Sequence, residues 1–317
     1  MSHVRNLTDT RNNDVNIAGG KGASLGEMKH AGIKVPDGFV ILAIAFEKFL
    51  SEGQRKEKIA KLLCAVDVQD TQMINETSEK IQKLILDGEI PKDICSSILQ
   101  NYKTLGAEYV AVRSSATAED SASAAWAGQL DTFLNTTEDH LLENVKKCWA
   151  SLFTPRAIFY RRRHAIENGV SVAVVVQKMV QSEVSGVAFS VHPVTEDRNQ
   201  MIIEAGFGLG EAIVSGQITP DTYVIQKSLS QIIDKSISTQ TRSLIRADGG
   251  IGNEWLDVPE PKASSQVLSD KHIIELAGLV LRIESHYDFP CDIEWAMEKG
   301  TFYIIQSRPI TTLSKRS

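Results

Sequence analysis

Between residues 109 and 135 the chain changes character within a few positions, in a way that few folds accommodate. Tyr109-Val110-Ala111-Val112 is an unbroken apolar run, β-rich enough for a buried strand, and it ends on a charge, Arg113. From Ser114 to Ala125 nearly every residue is small or acidic, too polar for a core strand and too poor in turn formers for a simple hairpin. Small residues let backbone N–H groups and hydroxyls approach an anion, and Gly128 permits a later turn to do the same. An arginine delivered by a strand to such a loop points to phosphate.

The remaining pattern is that of an α+β protein. Turn chemistry at Val35-Pro36-Asp37-Gly38 leads into an apolar strand at 39–42, and 45–100 carries apolar residues at helical spacing, with a break at Gly88 and Pro91. Residues 141–160 read as two helices split at Phe153-Thr154-Pro155, with Thr154 as N-cap and Trp149, Leu152 and Phe159 as packing residues. Strands are expected at 171–180 (SVAVVVQKMV), 185–190 and 201–205, then short exposed strands across 226–258. Asp270 is expected to cap a helix burying Ile273, Leu276, Ala277, Val280 and Ile283.

Two glycine clusters carry possible anion chemistry. Gly19-Gly20-Lys21-Gly22 reads as a turn opening a short helix, and backbone donors beside a lysine suit an anion; taken in isolation, the four residues are better read as a tight turn with a solvated lysine. A Walker motif is excluded, because Gly22 stands where Ser or Thr is needed. Gly206-Phe207-Gly208-Leu209-Gly210 has its third glycine one residue early for a dinucleotide fingerprint. His192, before Pro193, reads as a turn histidine, with no ligand partner at metal spacing.

At the C-terminal end, 292–297 and 301–308 read as a hairpin about Glu298-Lys299-Gly300. An odd loop sets Glu294 opposite Ile304 and diagonal to Gln306; an even loop turns Glu294 and Gln306 to opposite faces. The odd case gathers a carboxylate, an amide oxygen and the Arg308 guanidinium, a set suited to Mg²⁺ and polyphosphate. A solvated face with a structural ion pair is the plainer alternative. Neither Arg113 nor Arg308 occupies an obvious core position.

The net charge of −6 argues against a nucleic-acid partner, and Arg161-Arg162-Arg163 is too short a run to reverse that. Cys64, Cys95, Cys148 and Cys291 lack metal spacing, and no apolar run is long enough to span a bilayer. These features suggest a reducing, cytoplasmic setting with the cysteines as small core residues.

VRSSATAED followed by AGQLDTFLN closely resembles the nucleotide-binding domain of the phosphoenolpyruvate synthase and pyruvate phosphate dikinase family, which includes the rifampicin phosphotransferases. GGKGASLGEM, VPDGFVI, WASLFTPRAIFYR, SGVAFSVHPVT, GFGLGEAIVSGQITPD, DIEWA and IIQSRPIT continue the resemblance in order, from Ile17 to Thr312. It implies an ATP-grasp fold of two lobes, about 1–190 and 191–313, with the nucleotide site between them. It further implies that Lys21, Arg113 and Arg308 contact phosphates, that Gly128, Thr132 and Gln177 belong to the ATP site, and that Glu294 and Gln306 bind nucleotide and Mg²⁺. Where the family has Leu-Pro after the acidic pair, this chain has Ser121 to Ala125, which bears on the loop's shape.

Family members phosphorylate a histidine on a separate swivelling domain, and none of the seven histidines here sits in such a motif. The resemblance therefore implies the ATP-binding part of a dikinase, working with a partner phosphohistidine domain, as a stand-alone subunit or an excised piece. Pyruvate, water dikinase activity is the expectation. The antibiotic-phosphorylating branch and a non-catalytic nucleotide-binding regulator are the alternatives.

Overall fold

The computed structural model describes residues 2–117, 131–163, 171–250 and 252–313. Gly128 and the stretch 121–125 lie outside the described residues. The chain forms two compact units, Met1–Glu27 with Asp37–Met179, and Met28–Pro36 with Val180–Ser317. The division falls earlier than the expected 190, because the strand Val184–Phe189 pairs on both sides with strands of the second unit.

The first unit holds β1 (Val4–Asn6), most of α1 (Val15–His30), β2 (Gly38–Ile41), and then α2 (Ala43–Ser51), α3 (Arg55–Cys64), α4 (Thr71–Leu86) and α5 (Lys92–Leu105). β3 (Val110–Ala116), β4 (Thr132–Thr136), α6 (Glu138–Ala150), α7 (Pro155–Arg163) and β5 (Val172–Lys178) follow. Its antiparallel sheet runs β1-β2-β5-β3-β4. Alternation along the strands gives this sheet two unlike faces. Phe39, Ile41, Val110, Val112, Val172, Val174 and Val176 join one apolar core with Phe46, Phe49, Ile81, Ile98 and Val145 from the helices. Trp149 anchors that core, its ring 4.9 Å from Phe49 and 5.6 Å from Phe46. Burying a side chain of this class stabilises by roughly 1.5–3 kcal/mol.

β3 does not stop at Arg113 as expected. Ser114, Ser115 and Ala116 continue it, all buried. Their hydroxyls have partners: Ser114 Oγ donates to the Asp131 carbonyl at 2.9 Å and Ser115 Oγ to that of Ala18 at 2.9 Å. A satisfied serine is as acceptable in a buried strand as an apolar residue. Thr154 caps α7 as expected, its hydroxyl accepting from the Ala157 amide. Phe159 is not a packing residue; it is exposed, with the Arg163 guanidinium over its ring. Cys64 is exposed as well, so the cysteines are not uniformly core residues.

The second unit begins with β6 (Val184–Phe189), β7 (Gln200–Phe207), α8 (Glu211–Val214), β8 (Asp221–Gln226), β9 (Gln231–Ser236) and the hairpin β10 (Arg242–Arg246) and β11 (Asn253–Asp257). It ends with α9 (Asp270–Tyr287), β12 (Cys291–Glu298) and β13 (Thr301–Pro309). Its main sheet runs β13-β12-β6-β7-β8-β9. The five apolar residues expected on α9 are all buried, and the helix packs on β12, β7 and β9. Its cap is Ser269, whose side chain accepts from the His272 amide, so Asp270 is the first helical residue and not the cap. The carboxylate of Asp221, fully buried, pins the far end of the sheet by accepting from Tyr223 Oη at 2.8 Å, the Val267 amide at 2.9 Å and the Ser238 amide at 3.0 Å.

Candidate functional site

Three candidate residues of the first unit, Arg113, Thr132 and Gln177, lie on the sheet face turned away from the helical core. Arg113 on β3 is cross-strand partner to Thr132 on β4 and Val175 on β5, and Ala111, two residues back, is partner to Gln177. Arg113, Thr132 and Gln177 therefore share a face. Arg113 is only 5% exposed, contrary to its expected place outside the core, while Thr132 is exposed and Gln177 buried. Burial pushes the nearby Cys148 thiol well up, the charge of Asp131 adding to this and that of Lys21 opposing it.

Lys21 stands where a helix opens after a glycine break, as expected, although a helical stretch from Val15 also precedes the break. Two helical segments of α1 meet at Gly19, whose φ of 70° and ψ of 170° are non-helical. A side chain at Gly19 would place its Cβ 2.2 Å from both the carbonyl oxygen and the hydroxyl of Ser115. Glycine is thus required there on two counts, a left-handed backbone and the closeness of β3. The Ser115 hydroxyl also accepts from the Gly22 amide at 3.1 Å.

The hairpin of the second unit settles the question of parity by a route the sequence pattern does not show. Lys299-Gly300 is a two-residue turn, with Glu298 paired to Thr301. Such an even turn by itself separates Glu294 from Gln306. A register shift between Glu294 and Trp295 corrects it: Trp295 pairs with Ile304 but Glu294 pairs with Gln306, leaving Ile305 as the extra residue. Glu294 and Gln306 are therefore direct partners, and Asp292 and Arg308 are the next pair on the same face. Arg308 donates to Asp292 Oδ2 from Nε at 2.8 Å, and its Nη2 lies 2.8 Å from the same oxygen.

The row extends inward to residues with no local signal in the sequence. Glu294 pairs with Val187 on β6, which pairs with Glu204 on β7, so Glu204 joins this face through two strand neighbours. Burial raises the Glu204 carboxyl above its usual range, and the charge of Asp292 adds to the effect. Burial likewise raises Asp292, opposed by Arg308 and reinforced by Glu294. An acid whose pKa is raised by folding contributes stability that is lost as the pH rises through the raised value. Glu204→Gln is therefore expected to be more stable than the parent at pH 7, with the gap closing as the pH falls toward the carboxylate range. Urea midpoints at pH 7 and pH 5 check this, and a variant less stable than the parent at pH 7 would refute it.

The second glycine cluster is a tight turn against β10. Gly208 has φ of 84°, and a Cβ there would lie 2.3 Å from the Leu244 carbonyl oxygen. Gln240 braces it, accepting from the Phe207 amide at 3.1 Å and donating to the Ala205 carbonyl at 3.1 Å. The four residues of α8 that follow make no dinucleotide-binding unit. His192 is a turn histidine as expected, its Nδ1 accepting from the Val194 and Thr195 amides.

The family profile described as pyruvate phosphate dikinase, AMP/ATP-binding domain, matches residues 15–317. The chain belongs to that family. Its α+β architecture is that of the family's ATP-grasp domain. A probable phosphoenolpyruvate synthase of Methanocaldococcus jannaschii is 46% identical over 99% of this chain and 27% of the relative. One from Archaeoglobus fulgidus is 49% identical over 98% of this chain and 42% of the relative. The rifampicin phosphotransferase of Bacillus subtilis is 41% identical over 98% and 36%. The chain thus spans between about a quarter and a half of the length of these relatives. Among the described residues, no helix is long and apolar enough to cross a membrane.

Proposed function

We propose that this chain is the donor part of a dikinase of the phosphoenolpyruvate synthase type: it binds Mg-ATP and passes a phosphoryl or pyrophosphoryl group to a histidine on a partner domain, leaving AMP. The observation that carries the reading is the register shift in the terminal hairpin, which gathers Glu294, Gln306 and Arg308 on one face. In this reading Lys21, Arg113 and Arg308 bear the charge of the phosphates, while Gln177, Thr132 and Gly128 serve the nucleotide. Little covalent work falls to the domain; positioning and charge neutralisation supply the rate.

The residues fit a magnesium ion brought with the nucleotide. Among the described residues no group of three or more His, Cys, Asp or Glu side chains is placed to hold a metal, so no protein cage is offered. The Glu294–Gln306 pair offers two hard oxygen donors side by side, and Mg²⁺ ordinarily takes one or two protein ligands, keeping phosphates and waters for the rest. The bound ion would neutralise charge on the phosphate oxygens. Glu294 and Gln306 would hold it, and Arg308, braced by Asp292, would present its fork to phosphate.

Relatives that differ in their named activity, phosphoenolpyruvate synthase and rifampicin phosphotransferase, match this chain at similar identity, which supports a shared donor step with the acceptor chosen elsewhere. We place the protein in the cytoplasm on its cysteine usage, the four thiols being free as a reducing compartment keeps them. The test is to incubate the chain with Mg-ATP, with and without a swivelling domain from a phosphoenolpyruvate synthase, and to assay AMP and alkali-stable phosphohistidine. AMP dependent on the added domain is expected, with at most slow hydrolysis and no stable phosphoprotein without it. Nucleotide binding without AMP would favour a non-catalytic regulator. Stoichiometric label on the chain alone, lost in His192→Ala, would mean that it carries its own acceptor.

A further inference from the structure

In an uninterrupted helix the N–H of residue 22 bonds the C=O of residue 18. In α1 a hydroxyl from another element serves both groups: Ser115 Oγ donates to the Ala18 carbonyl at 2.9 Å and accepts from the Gly22 amide at 3.1 Å. The backbone breaks within that turn, at Gly19, and Lys21 lies inside it. Side-chain insertion into the hydrogen-bond ladder is a recognised cause of a kink, and Ser115 has no exposure that would let water take its place. The same serine stands two residues beyond Arg113 on β3, so both point to one face of the sheet.

We infer that Ser115 is a positioning residue that sets Lys21 at a fixed place relative to Arg113, so that one strand presents the arginine directly and holds the lysine by a hydroxyl bridge. The inference rests on the proposed reading of Lys21 as a phosphate contact. Ser115 does not touch the nucleotide; it fixes the turn that carries the residue which does. Lysine has four rotatable bonds and a point charge, so its contribution depends on where its backbone is anchored more than an arginine fork's does. Gly19 and Gly22 serve the same bridge, Gly19 by letting β3 approach and Gly22 by supplying the donor.

The test is a double-mutant cycle read by ATP affinity in the presence of Mg²⁺, using the whole chain. Lys21→Ala and Ser115→Ala should each weaken ATP about tenfold, and the double variant no more than Lys21→Ala alone, because a misplaced lysine that is already absent has nothing further to lose. Amide exchange at Gly22 should quicken in Ser115→Ala. Ser78→Ala is the control for loss of a buried hydroxyl, since Ser78 Oγ donates to the Phe153 carbonyl at 2.7 Å in the helical layer; it should lower the melting temperature and leave ATP affinity unchanged. If Lys21→Ala binds ATP as the parent does, the phosphate reading of Lys21 fails and the inference with it. If Lys21→Ala weakens ATP but Ser115→Ala does not, or the two effects add, the phosphate reading stands and the positioning role is rejected.

Discussion

Arg308→Ala is expected to lower AMP formation with the partner domain by about 10²–10³-fold, the loss usual when a donor aimed at developing charge is removed. The side chain is exposed on the last strand and donates to Asp292. Its loss leaves the sheet's apolar face with Ile293 and Ile304 untouched, so the melting temperature should change little. Arg113→Ala is a different experiment. Arg113 is buried in the middle of a sheet, so that variant should lose stability along with transfer. Parent-like AMP formation by folded Arg308→Ala, at saturating Mg-ATP, removes Arg308 from the proposed machinery.

ATP should raise the melting temperature strongly with Mg²⁺ and weakly without it. Glu294, Asp292 and Glu204 share the face that bears Arg308, and a polyphosphate brought to three carboxylates without a cation meets net repulsion. Binding to the native state stabilises by about 2.7 kcal/mol at a hundredfold excess over the dissociation constant. Glu294→Ala should lose most of the difference between the two conditions, since it removes one of the repelling carboxylates together with the proposed metal ligand. Thermal melts of parent and variant with ATP, each with Mg²⁺ or with a chelator, give the comparison. Equal stabilisation of the parent by metal-free ATP would end the metal role given to Glu294 and Gln306.

Elements set by local pattern are legible in the amino-acid sequence itself. The apolar run at 172–176, the periodic residues of α9 and the Thr154-Pro155 start of α7 each declare themselves through propensity, periodicity or capping. Features set by distant partners are not. Ser114 and Ser115 look like loop residues because their hydroxyl partners are remote; Ala18, one of them, lies 97 positions away. Residues 28–36 join the second unit although both flanking stretches belong to the first; within it the Ile304 amide donates to the Lys34 carbonyl, a pairing without local signal. Of the candidate residues, Glu294 and Gln306 can be paired from sequence only conditionally, since a one-residue bulge has no reliable signature. Glu204 cannot be reached at all, because its place depends on the order of strands in a sheet.

The bulge at Ile305 also gives this hairpin one residue of slack in its length. Deleting that one residue would leave Glu294 opposite Gln306 and Asp292 opposite Arg308 in an unbroken ladder, so the polar face would survive the loss. Insertion of a single residue into the Lys299-Gly300 turn would lengthen the loop and leave the pairing beyond it in place. A single gap aligned between residues 301 and 305 is therefore expected to be tolerated, the bulge disappearing with it, whereas a second gap has no bulge left to absorb it. A homologous chain with two such gaps would keep its fold-level similarity to this family while the counterparts of Gln306 and Arg308 turned toward the side packed by α9.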